Sequence, residues 1–229
     1  MVPAAKENLR KRKERMASTA FNEFEFNVMD AKRLLQAHGV LSNGNPGKKG
    51  LGHITRSGVV MLCAAWERYQ EAVLVEGVKY LASEIPDPNN LPLKVRQYLS
   101  QHVREAKNVL TPMQLAGTGW QNLYIQLAED ATEALNTPKS ENLKALYSRF
   151  VGVTDVSAYW TGGAAAIDSF VTTRGDIAHN GRTSPYIKAS VLRGHIDTIE
   201  RAVRDHDHRF CDTLKGNAGS TRQPWRKTA

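Results

Sequence analysis

The chain has 229 residues and a formal net charge of +8, from 31 lysines and arginines against 23 aspartates and glutamates. That length fits one sizeable domain or two small ones, able to bury a core without staples, and the basic balance favours a polyanionic partner. Two distant cysteines, Cys63 and Cys211, exclude a disulfide framework. No run is long and apolar enough to span a membrane, and no apolar stretch follows the charged N-terminus as a secretory signal requires. These features predict a soluble, cytoplasmic protein.

Residues 1–16 carry Lys6, Arg10, Lys11, Arg12, Lys13 and Arg15. They read as a flexible basic arm, either an RNA contact or a solvated tail. From Ser18, a fair N-cap, Phe21, Phe24, Val28, Ala31 and Leu35 recur at helical spacing, with Gly39 as the expected stop. Residues 39–52 are glycine-rich and read as a loop. Gly47-Lys48-Lys49-Gly50 lacks the Gly-Lys-Ser/Thr ending of a phosphate loop. Lys48 and Lys49 remain candidate contacts to an RNA backbone.

The longest periodic segment spans residues 53–85 and is closed by Pro86. Val59, Leu62, Cys63, Trp66, Tyr69, Val73 and Val78 share one broad face, so this helix is the expected spine. Cys63 reads as a packed thiol. Glu67 reads either as an ordinary surface charge or as a carboxylate that orients a cation. Further helices are expected over residues 92–107, over 120–135, and from a cap at Thr137-Pro138 to Gly152, with an irregular stretch at 108–119. A short apolar helix, Ala164 to Val171, leads to a polar cluster. A last long helix starts at Ser184-Pro185. The residues from 216 onward read as a flexible basic tail, leaving residues 17–215 as one helical domain. His195, Asp205, His206, Asp207 and His208 lack the spacing of a compact metal site and read as a solvated face. No strand pair or internal repeat is evident. The fold class is therefore all-α, an up-and-down helical bundle, with no cofactor and no metal expected.

The polar cluster is Thr173-Arg174-Gly175-Asp176-Ile177-Ala178-His179-Asn180-Gly181-Arg182. On a helix, Asp176 shares a face with His179 and Asn180. Arg174 and His179 are five apart, about 140° around the axis, so they flank a cleft rather than stack. Asn180-Gly181 is the expected helix end. A guanidinium is a fixed fork that suits phosphate, and an unperturbed imidazole titrates at about 6.5. Asp176 is placed to orient the imidazole, with Asn180 as the alternative; Arg182 is a further RNA contact. Cleaving RNA through its own 2′-hydroxyl needs a base, an acid and a cation, and no metal. Both groups also have an ordinary explanation: Arg174 pairs with a carboxylate, and His179 caps a helix C-terminus.

The run resembles the Arg-x4–6-His motif of the HEPN superfamily. Ser169-Phe170-Val171 before it, and the upstream Gly58-Val59-Val60-Met61-Leu62-Cys63-Ala64-Ala65-Trp66-Glu67-Arg68-Tyr69, are similar to the RiboL-PSP-HEPN branch. The resemblance covers about residues 20–210. It implies an all-α fold and a homodimer in which the arginine and histidine of two protomers face one cleft. It also implies a metal-independent endoribonuclease, with Arg174 and His179 as catalytic groups. Such proteins are often toxins or phage-defence effectors, which implies a cognate antitoxin or defence-system protein as partner. One departure stands out. Many active members carry Asn, Asp or His directly after the arginine, and this chain has Gly175. The second function expected is therefore a catalytically silent HEPN module that binds RNA, nucleotide or a protein.

Overall fold

The structure, a computed structural model, describes residues 17–43 and 50–228. The basic arm of residues 1–16, Lys48 and Lys49 lie outside the described residues. Eight α-helices appear among the described residues, and no strand. They are α1 (Thr19–Ser42), α2 (Gly52–Glu84), α3 (Leu93–Glu105), α4 (Thr111–Gln114), α5 (Gly119–Glu133), α6 (Ser140–Val151), α7 (Gly163–Asn180) and α8 (Ala189–Ala218). The fold is all-α, an up-and-down bundle. Among the described residues no helix is long and apolar enough to cross a membrane.

The spine is α2. It buries one broad face, including Val59, Leu62, Trp66, Tyr69, Val73, Leu74 and Leu81, and leaves Ser57, Val60, Met61, Ala64 and Arg68 exposed on the other. α1 lies antiparallel on it. The Ser18 hydroxyl caps α1 by accepting from the Phe21 amide, and Glu76 of α2 accepts from the Thr19 and Ala20 amides. On the other side α8 approaches so closely that a Cβ at Gly58 would meet Leu192 at 2.5 Å, and one at Gly77 would meet Phe210 at 2.7 Å. Those two glycines set the spacing of the central helix pair.

Several boundaries differ from expectation. α1 passes Gly39 and ends at Asn43, whose φ of 48° gives the left-handed stop. α6 begins at Ser140 rather than at Thr137-Pro138 because its cap comes from elsewhere. Asp168 of α7 accepts from both the Ser140 amide (2.7 Å) and the Ser140 hydroxyl (2.6 Å). The Pro138 carbonyl meanwhile accepts from the Trp66 indole. α8 starts five residues after Ser184, at Ala189, since the intervening chain stays extended and Ile187 gives its carbonyl to Thr55.

His206 and Asp207 are not a solvated face: both are fully buried. His206 falls on the stripe Ile199, Val203, His206, Phe210, which α8 turns to the core. Its Nδ1 accepts from the Trp160 indole (3.0 Å) and the Gln70 amide (3.2 Å), so the neutral ring carries its proton on Nε2. Tyr147 donates in turn to the Gln70 side-chain oxygen, while the buried His206 Nε2 finds no partner among the described residues. Rings of Tyr69, Tyr147, Tyr159 and Phe210 surround the imidazole. Burial pushes its pKa down to about 3. Burial pushes Asp207 the other way, up to about 7, although the Ser18 hydroxyl donates to its carboxylate.

The residues after 216, expected to be loose, pack as a strap. Trp225 is buried and donates to the Asp207 carbonyl at 3.2 Å. Arg222 pairs with Glu84 at 2.7 Å and Lys227 with Asp212 at 2.6 Å. Trp225→Phe keeps a ring in place and removes the indole donor. It is expected to cost about 1 kcal/mol, read as a lower urea midpoint with an unchanged slope.

Candidate active site

The polar cluster occupies the C-terminal half of α7. This helix buries Ile167, Phe170, Val171 and Ile177. Arg174 follows Phe170 by four residues and precedes Ile177 by three, so it takes a core-facing register in an otherwise apolar stripe. That register makes it half-buried against α2. Its neighbours there are Cys63 and Glu67, themselves four apart on one face of α2. Burial raises the Glu67 carboxyl above the ordinary range, and the Arg174 charge pulls it back down. Burial likewise pushes the Cys63 thiol up to about 12, against the pull of the same guanidinium. Among the described residues Arg174 makes no hydrogen bond and no ion pair within 4 Å. It is thus held beside a carboxylate without being locked to one, and its fork remains open to a ligand.

His179 lies on the last turn of α7, off the apolar stripe, and is exposed. Its ring hydrogen-bonds no carbonyl among the described residues, so it is not the helix cap. The cap is Gly181, where φ is 52° and the amide bonds the Ile177 carbonyl, in agreement with the expected Asn180-Gly181 stop. Five residues of helix separate Arg174 from His179 by about 7.5 Å along the axis. Asp176 and Asn180 are exposed on the same helix, and neither side chain bonds the His179 ring among the described residues. Arg182 is exposed on the following 3-10 turn, Gly181–Thr183. A Cβ at Gly175 would meet nothing within 4 Å, so packing does not demand glycine after the arginine.

The part of the site least visible in sequence is its α2 wall. Cys63 reads there as core, and it is, yet it also lies beside the guanidinium. Val60 and Met61, one turn earlier, are large apolar side chains left partly exposed at 36% and 39%. Val60, Ala64 and Glu67 form one line along α2, so an uncovered apolar strip leads up to the carboxylate at Arg174. Tyr186, which follows the site, is 55% exposed.

Among the described residues no group of three or more His, Cys, Asp or Glu is placed to hold a metal ion. No curated protein and no solved structure matches the chain. A family model described as RiboL-PSP-HEPN matches residues 28–212, most of the chain, and the protein therefore belongs to the RiboL-PSP-HEPN family.

Proposed function

We propose that this protein is a metal-independent endoribonuclease that works as a homodimer. The observation that carries the reading is Arg174: a guanidinium set into a core register, half-buried beside Glu67, unpaired among the described residues, and about one and a half turns from an exposed histidine. Setting a guanidinium partly into a core register without a bonded partner carries a desolvation cost that a bound anion would offset. A scissile phosphate suits the open fork.

In the reaction, a neutral His179 takes the proton of the 2′-hydroxyl. The 2′ oxygen attacks phosphorus, and Arg174 steadies the added negative charge. A second, protonated imidazole gives its proton to the departing 5′ oxygen. The products are a 2′,3′-cyclic phosphate and a 5′-hydroxyl. One motif per chain supplies one histidine, so the acid and the base come from two copies across a two-fold axis. The exposed Val60 and Met61 supply apolar surface for that contact. Glu67 holds negative charge beside the guanidinium without bonding it, and Asp176, Asn180 and Arg182 border the RNA path. Such an activity suits a cytoplasmic toxin or phage-defence effector, restrained by a cognate antitoxin or defence-system protein.

The test is labelled total RNA with purified protein in excess chelator. Cleavage that persists and leaves cyclic phosphate ends is the expected result, with a dimer in light scattering. Loss of cleavage in chelator, or activity from a strict monomer, overturns the mechanism. Binding without cleavage assigns the chain to the silent, RNA-binding class.

A further inference from the structure

A second cleft lies away from Arg174, between α1, α2 and α5, with a volume of about 490 Å³. Five glutamates line it: Glu23 of α1, Glu71 and Glu76 of α2, and Glu129 and Glu133 of α5. Two cations oppose them, Arg68 and Lys79. Lys79 pairs with Glu129 at 2.7 Å, and Arg68 is divided between Glu23 (4.0 Å) and Glu71 (3.9 Å). Glu133 has no ion pair among the described residues. The cleft is therefore short of three positive charges in a protein whose net charge is +8. Burial raises both the Glu71 and Glu76 carboxyls; Glu67 raises Glu71 further, while the Thr19 and Ala20 amides pull Glu76 back down.

The segment that fits this deficit is in the same chain. Residues 1–16 hold six lysines and arginines against Glu7 and Glu14, an excess of four positive charges. They join the fold at Ala17 and Ser18, and the next two residues, Thr19 and Ala20, are themselves walls of the cleft. The arm is thus tethered at the rim. Its reach, roughly 50 Å when extended, exceeds the approximately 17 Å of α2 between Arg68 and Lys79. A short tether gives a local concentration in the millimolar range, which favours the attached arm over a free basic peptide. We propose that residues 1–16 dock in cis into the acidic cleft between α1, α2 and α5. Docked there, the arm's cations neutralise the glutamates and are withheld from other polyanions until salt or a polyanion competes for them. This assignment does not depend on the nuclease reading.

A zero-length carbodiimide cross-link tests it on the full chain at low salt and low protein concentration. Lys6, Lys11 or Lys13 should join Glu23, Glu129 or Glu133 within the single-chain band, and high salt should suppress these links. Glu23→Gln with Glu133→Gln, both at exposed positions, should cut the remaining arm links to Glu129 several-fold. Links from the arm to carboxylates elsewhere, arm links only in a double-mass band, or an unchanged yield in the double variant overturns the proposal. Each reading is made where the Lys79–Glu129 link forms in the same sample.

Discussion

His179→Ala is expected to lower the rate of RNA cleavage by about a hundred- to ten-thousand-fold, the usual worth of a positioned acid or base. The ring is exposed and bonds nothing among the described residues, so its removal leaves the bundle intact. Arg174→Ala should cost activity on the same scale, for a different reason. In the proposed mechanism it removes the charge that stabilises the phosphorane-like transition state, and it takes the guanidinium away from beside Glu67. Arg174→Lys should rescue poorly, because a point charge cannot grip two phosphate oxygens. Asp176→Asn should be milder, since no bond ties that carboxylate to the imidazole. The measurement is single-turnover cleavage of a labelled RNA, with helix content and assembly checked alongside. If His179→Ala cuts as fast as the parent, the imidazole is not the proton-transfer group.

The buried pair His206 and Asp207 should give opposite pH dependences of stability when taken apart. The Asp207 carboxyl moves from 3.8 unfolded to about 7 folded. Its contribution is present below pH 4 and is lost as pH rises through 7. The His206 imidazole moves from 6.5 unfolded to about 3 folded. Its contribution is present above pH 6.5 and is lost as pH falls through 3. Between pH 4 and 6.5 the two slopes oppose each other. Each unit is worth about 1.4 kcal/mol. Relative to the parent, Asp207→Asn should therefore gain roughly 3 kcal/mol between pH 5 and 8, and His206→Gln should lose about 2 kcal/mol. Glutamine keeps an oxygen that accepts from Trp160 and Gln70. Urea midpoints across that range read both directions, and curves parallel to the parent would show that the pair does not titrate on unfolding.

Local signals in the chain announce the helices that local chemistry decides. α2 has no proline over its length, and its internal glycines do not break the apolar recurrence, which is readable end to end. The Arg174–His179 run is readable because it places charge where the helix otherwise buries apolar residues. Where distant chemistry decides, sequence is silent. α6 starts at Ser140 because Asp168, 28 residues later, caps it. The last residues pack because Trp225 finds the Asp207 carbonyl. His206 is the instructive case. The apolar stripe through Ile199, Val203 and Phe210 contains it, yet a histidine among aspartates looks solvated until Gln70 and Trp160 are seen to supply its bonds. Arg174 is its counterpart, a polar residue in a core stripe, and there no partner among the described residues takes up its bonds, which is what motivates the proposed role.

Arg174 and His179 ride on one uninterrupted helix, and that helix is pinned at its first half by the Asp168 clamp on α6. A rod of this kind does not flex between the two residues on the timescale of loop motion. Their spacing is consequently fixed by the helix itself, and no hinge falls between them. For a site completed by a second copy, as proposed, control acts on what arrives at the rod: how often that copy meets it, and what competes for that face. Turnover per chain would then climb with protein concentration, and a binder that merely occludes the face would silence it without deforming anything.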